Sequence, residues 1–120
     1  MIYIIDDDKI MSECIARACK TETQIFTNAI EAMSQISNRV MPDLIFLDIL
    51  LDGPDGFTFL NELISYPDTA KIPIVIVSSL DMEKYDLSAY GVVGILDKNT
   101  MTPADINQYA TRYAVAEASL

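Results

Sequence analysis

With no histidine and no tryptophan in 120 residues, this chain must run any chemistry on carboxylates, hydroxyls and lysine. Histidine acid/base catalysis, imidazole metal ligation and a self-contained phosphohistidine carrier are excluded. The groups that stand out follow apolar runs. Asp6, Asp7 and Asp8 come directly after Ile2–Ile5, Asp48 after Leu44–Leu47, Ser78 and Ser79 after Ile74–Val77, and Lys98 shortly after Val92–Leu96. Carboxylates converging at one place repel each other, so either some stay protonated or a cation sits among them. A hard divalent ion suits an all-oxygen site, and Mg²⁺ tends to take one or two carboxylates, keep several waters and leave positions for phosphate oxygens. Two acids for a metal, one acid as nucleophile, a hydroxyl and a facing cation together suit transfer of a phosphoryl group to a carboxylate. Asp48 would attack in line while the metal and Lys98 neutralise the phosphoryl oxygens. Taken singly, each has a plainer reading: solvated turn acids, a helix cap at Ser78, a surface cation at Lys98.

Elements must bring these groups together. Ile2-Tyr3-Ile4-Ile5, Leu44-Ile45-Phe46-Leu47 and Ile74-Val75-Ile76-Val77 are short, unalternating apolar runs, as expected of parallel strands buried on both faces. Gln24–Thr27 and Val92–Leu96 complete a sheet of five, the former short and polar enough for an edge. Helical periodicity lies between them. Ile10, Met11, Cys14, Ile15 and Ala18 share one face, as do Phe59, Leu60, Leu63 and Ile64. Asn28 with Glu31 resembles a capping box ahead of Ile30, Met33 and Ile36, and Thr102-Pro103 opens a last helix with Ile106, Tyr109, Ala110 and Tyr113 inward. Residues 81–90 carry the weakest helical pattern. Five strand-helix units with right-handed crossovers predict an α/β fold: a flavodoxin-like, doubly wound, five-stranded parallel sheet with five helices. In such sheets ligands bind beyond the carboxyl ends of the strands, where these acids fall.

Composition narrows the class. A 51% hydrophobic chain can bury a core, and 120 residues without repeats or a linker read as one domain, residues 1–120. The formal charge of −10 repels phosphate backbones and anionic headgroups, so neither nucleic acid nor membrane is an expected partner. No stretch approaches the ~20 apolar residues of a membrane span and no basic, apolar leader follows Met1, which predicts a soluble, cytoplasmic protein. Cys14 and Cys19, five apart on a helix, diverge too far to bridge and are expected to be buried, reduced thiols.

Asp6-Asp7, Asp48 within Pro42-Asp43-Leu44-Ile45-Phe46-Leu47-Asp48, Asp55-Gly56, Ser78 and Lys98 together resemble the receiver domain of two-component response regulators, over nearly the whole chain. The resemblance implies the strand order 2-1-3-4-5 and a phosphorylation-activated switch. Asp48 would take its phosphoryl group from a phosphohistidine on a histidine kinase or phosphotransfer protein. Asp7 would bind Mg²⁺ directly, Asp6 mainly through water, and the Leu50 backbone carbonyl would complete the protein ligands. Lys98 would bridge to Asp48 and then to the phosphoryl group, and Ser78 would swing inward to hydrogen-bond it. A downstream effector protein or domain would read the result. A homodimer could form through the face of the fourth helix, fifth strand and fifth helix. The chain could be a stand-alone receiver or the front end of a longer regulator.

Several positions depart from that pattern. Ile95 stands where the family usually has an aromatic, Asn99 where it has proline, often after a cis peptide, and Asp52 where the loop has proline, with Pro54 nearby. The stretch from Ser78 to Gly91 is short, predicting a short or irregular fourth helix. Leu50 and Leu80 occupy positions that influence attack of water on the phosphoryl group, and neither can orient a water, so slow self-dephosphorylation is expected. Tyr85, Tyr90, Tyr109 and Tyr113 read as partly buried packing residues. The competing reading is a pseudo-receiver, a phosphorylation-independent protein-binding module of the same fold. A metal-dependent phosphatase would need a second acid where Leu50 stands, and nucleotide binding of the flavodoxin type would need a Gly/Ser/Thr-rich loop where the three aspartates are.

Overall fold

In a computed structural model, which describes residues 1–37, 41–50, 55–80, 82 and 86–118, with side chains described as far as 36 in the second helix and 114 in the last, the strands and helices alternate along the chain. They are β1 (Ile2–Ile5), α1 (Lys9–Cys19), β2 (Thr23–Phe26), α2 (Ala29–Ser37), β3 (Leu44–Leu47), α3 (Gly56–Ile64), β4 (Ile74–Ser78), a 3-10 turn at Ser88–Tyr90, β5 (Val92–Asp97) and α4 (Pro103–Ala118). The sheet runs β2-β1-β3-β4-β5, and every adjacent pair is parallel. Order and strand number are those expected.

Burial explains the central strands. β1, β3 and β4 are buried at every position, so their β-branched and aromatic side chains feed both faces. Tyr3, Ile5, Ile45, Leu47, Ile74 and Ile76 pack on one face with Phe26, Ile36, Phe59 and Leu63. Ile2, Ile4, Leu44, Phe46, Val75 and Val77 pack on the other with Ile15, Ala18, Ile106 and Ala110. Tyr109 and Tyr113 join the second core and Tyr90 the first, each partly buried. Tyr85, Asp52 and Pro54 lie outside the described residues.

Local chemistry sets the helix starts. Asp8 caps α1 by accepting the N–H groups of Ile10 and Met11 at 3.0 and 3.2 Å, and Asp55 caps α3 through Thr58 N–H at 2.9 Å. Asn28 accepts Glu31 N–H. Thr102 and Asp105 form a reciprocal capping box ahead of Pro103.

Three expectations need correction. Ile10 is 77% and Ile30 64% exposed, because the stripes that meet the sheet are rotated from those read by periodicity. In α1 that stripe is Ser12, Ile15, Ala18 and Cys19, and Ser12 satisfies its buried hydroxyl by donating to Lys9 O. For the same reason Cys14 is exposed and only Cys19 is buried. The fourth helix expected over 81–90 is, among the described residues, one 3-10 turn at Ser88–Tyr90, with Met82, Asp86 and Leu87 outside regular helix. A left-handed Gly91 (φ 77) ends that turn and leads into β5. This fits the shortness of the segment.

Candidate functional site

Asp6 and Asp48 directly follow β1 and β3, Lys98 follows Asp97 at the end of β5, and the strand order stacks these ends along one edge of the sheet. Asp6 and Asp48 are 2% and 5% exposed, while Asp7 is exposed. One carboxylate oxygen from each of the three lies within 4.8 Å of the others. Lys98 Nζ stands 3.0 Å from Asp6 Oδ2 and 3.1 Å from Asp48 Oδ2.

Both buried acids are held in the same manner. Asp6 Oδ1 accepts Asp8 N–H at 2.9 Å, and Asp48 Oδ1 accepts Leu50 N–H at 3.0 Å. One oxygen of each carboxylate is thus tied to the amide two residues on, and the other faces the lysine. Burial pushes the Asp6 carboxyl above its ordinary pKa, against the lowering effect of the Asp8 amide and Lys98. For Lys98, burial alone would lower the pKa, but the hydrogen bonds and charges of Asp6 and Asp48 outweigh it and hold the ammonium above its usual value. The two shifts have different causes: desolvation raises Asp6, and the two neighbouring carboxylates raise Lys98.

Ser78 closes β4, between the strands that carry Asp48 and Lys98, and is fully buried. Its Oγ accepts Leu80 N–H at 3.1 Å and its carbonyl accepts Lys98 N–H at 3.0 Å. This is a serine turn rather than the helix cap expected, since no α-helix lies between β4 and β5 among the described residues. Leu50 and Leu80 are 54% and 49% exposed, so apolar side chains flank the site. Ile95, half-buried against the first core, lines a cleft of about 650 Å³ between the ends of β4 and β5 and the start of α4. The peptide bonds of the described chain are trans, Lys98–Asn99 included.

Two features went unread in the sequence. Lys98 pairs with Asp6 as well as Asp48, a contact between residues 92 apart. Asp97 anchors the turn after β5, with Asn99 N–H donating to its Oδ1 at 2.8 Å and the N–H groups of Thr100 and Met101 to its carbonyl. An Asp with Asn two residues on is a turn signal that could have disclosed this.

The donor set fits a hard divalent cation. It is all oxygen, and the buried Asp6 Oδ2 is aligned with no hydrogen-bond donor despite its ion pair. No helix among the described residues is long and apolar enough to cross a membrane.

Residues 2–111 match the response regulator receiver domain family, and the chain belongs to it. It is 29% identical over 82 residues to the response regulator PleD of Caulobacter vibrioides, a match covering 67% of this chain and 18% of that protein. The chain therefore spans only a small part of that relative's length. The receiver domain of NtrX from Brucella abortus superposes with a TM-score of 0.79 at 26% identity, covering 94% of this chain and 97% of the other. The Mn²⁺-bound form of the response regulator Rcp1 superposes at 0.72 and 26%, covering 95% and 91%. The chain is thus a receiver domain of two-component signalling, a class that switches on phosphorylation, binds Mg²⁺ and works with histidine kinases and effectors.

Proposed function

We propose that Asp48 is the phospho-acceptor of this switch, taking its phosphoryl group from a phosphohistidine on a histidine kinase or phosphotransfer protein. The observation that carries this is the placement of Lys98 Nζ 3.0 and 3.1 Å from two buried carboxylates, with the Asp7 oxygen in the same cluster. Asp6, Asp7, Asp48 and the Leu50 carbonyl would hold Mg²⁺, which when bound supplies positive charge to the phosphoryl oxygens.

The chain's own residues supply the rest. The Leu50 amide fixes the plane of the Asp48 carboxylate, whose oxygen attacks phosphorus as the phosphorus–nitrogen bond to the donor imidazole breaks. The imidazole leaves with the bonding pair and takes up a proton. Lys98, already between the acids, follows the new negative charge. Ser78 would exchange the Leu80 N–H for a phosphoryl oxygen, turning its hydroxyl from acceptor to donor and moving the turn after β4. An effector then reads the face of the 3-10 turn, β5 and α4, where a second copy could also dock. A cytoplasmic setting and a one-domain extent over 1–120 complete the proposal, as does the absence of nucleic-acid and membrane partners, which the charge of −10 supports.

Intact-mass spectrometry after incubation with acetyl phosphate and Mg²⁺ tests it. One acid-stable, base-labile phosphoryl adduct is expected on the wild-type chain and none on Asp48→Asn or without metal. An unmodified wild type would select the pseudo-receiver, and steady phosphate release from unrelated esters a phosphatase.

A further inference from the structure

We propose that Asp97 is the residue that positions Lys98 for phosphoryl transfer, an inference that rests on the reading of Asp48 above. Five successive amides follow it, and each has a defined acceptor. Lys98 N–H goes to Ser78 O (3.0 Å), Asn99 N–H to Asp97 Oδ1 (2.8 Å), Thr100 and Met101 N–H to Asp97 O (3.1 and 2.8 Å), and Thr102 N–H to Asp105 Oδ2 (2.9 Å). Three of the five end on Asp97. Asp97 is also the register partner of Ser78 across β4 and β5, so the turn is built on the last rung of the sheet.

This matters because of what the turn carries. A lysine stem has four rotatable methylenes, and a charge at its end is only as well placed as its Cα. Holding Nζ within hydrogen-bond distance of Asp6 and Asp48 at once therefore requires a main chain with one conformation at residue 98. The Asp97 carboxylate closes that turn on its exposed side, where packing cannot, and touches none of the reacting groups. Its role is to position Lys98, whose ammonium meets the charge of the phosphoryl group that Asp48 takes up.

Asp97→Ala and Asp97→Asn in the full chain provide the test, with three readouts: phosphorylation rate from acetyl phosphate, affinity for MgCl₂ by calorimetry, and thermal midpoint. Asparagine keeps the Oδ1 acceptor, and Asp97→Asn should stay within about twofold of wild type, whereas Asp97→Ala should phosphorylate about tenfold more slowly, in line with the rate cost of small misplacements. Mg²⁺ should bind Asp97→Ala more tightly, because a loosened Lys98 competes less for the oxygens of Asp6 and Asp48. The opposite signs separate positioning from damage to the fold, which would weaken both. In a Lys98→Ala background the Asp97→Ala change should have no further effect on either. Wild-type rate and affinity in Asp97→Ala, a joint fall in both, or failure of asparagine to rescue would overturn the proposal. If the wild type takes no phosphoryl group yet Asp97→Ala tightens Mg²⁺, positioning of Lys98 stands and the phospho-acceptor reading falls.

Discussion

Asp6 carries the electrostatic strain of the site. Burial raises its pKa above the unfolded value, so its contribution to stability is complete below that value and is lost as pH rises through the folded one. At neutral pH its buried charge opposes folding. Asp6→Asn should therefore raise the thermal midpoint of the metal-free protein by a few degrees at pH 7, with the gain vanishing near pH 4, and should weaken Mg²⁺ binding. A midpoint that falls at pH 7 would show the Lys98 pairing to outweigh burial. Leu50 and Leu80, two residues beyond Asp48 and Ser78, present exposed apolar side chains, so hydrolysis of a phosphoryl group on Asp48 should be slow. Leu50→Asn should speed it about tenfold, the order expected when one group orients a reactant, whereas a wild-type half-life of seconds would refute the idea. Cys19 is buried with its pKa pushed up to about 12, whereas Cys14 is exposed. An alkylating reagent at pH 8 should modify Cys14 at once and Cys19 only after denaturation.

Among the elements, the contact of α3 with the end of β3 bears most directly on the site. Gly56 opens α3 with its N–H donated to Ile49 O at 2.9 Å. A Cβ there would stand 2.7 Å from Ile49 Cα and 2.9 Å from Asp48 O. Gly56→Ala gains up to ~1 kcal/mol of helix propensity, but overpacking against main chain costs about 1–3 kcal/mol. The clash is with backbone, so the cost should win. Denaturant melts should show a net loss, with slower phosphorylation as the chain at Asp48 shifts. Gly94 in β5 differs, since a Cβ there would overlap the far end of the Tyr109 side chain from α4, which can shift, rather than main chain. The apolar runs of β1, β3 and β4 were legible because a strand buried on both faces needs no phase. The helices were less so. Four-residue strands leave the entry angle of each helix to its cap, and at α1 the Asp8 cap turns Ser12 rather than Ile10 or Cys14 toward the sheet.

For the molecule as a whole, a cation that binds only the folded state must stabilise it. Saturating Mg²⁺ at a hundredfold excess over its Kd should add about 2.7 kcal/mol, and chelation should remove it. Asp7→Ala should abolish the effect, because its exposed carboxylate belongs to the same cluster as Asp6 and Asp48. A full Mg²⁺ response in that variant would move the metal away from this edge. The charge of −10 acts in the same direction, since self-repulsion of the folded chain is eased by bound or diffuse cations.

Residue types and their place after apolar runs were enough to determine the parallel sheet and its five strands and to single out Asp6, Asp7, Asp48, Ser78 and Lys98 as candidates, because strand burial and the carboxyl-edge rule are local in sequence. Beyond the strand order and the Lys98–Asp48 bridge that the resemblance implied, tertiary structure decided which atoms meet. The order β2-β1-β3-β4-β5 sets Asp6 beside Asp48 and brings Lys98 across from β5 to both, and these distances depend on register between segments tens of residues apart. It also decided that Ser78 engages Leu80 N–H in this conformation and that Asp97 gathers the amides of the turn after β5. Such bonds follow from how the chain closes on itself, which no window of sequence contains.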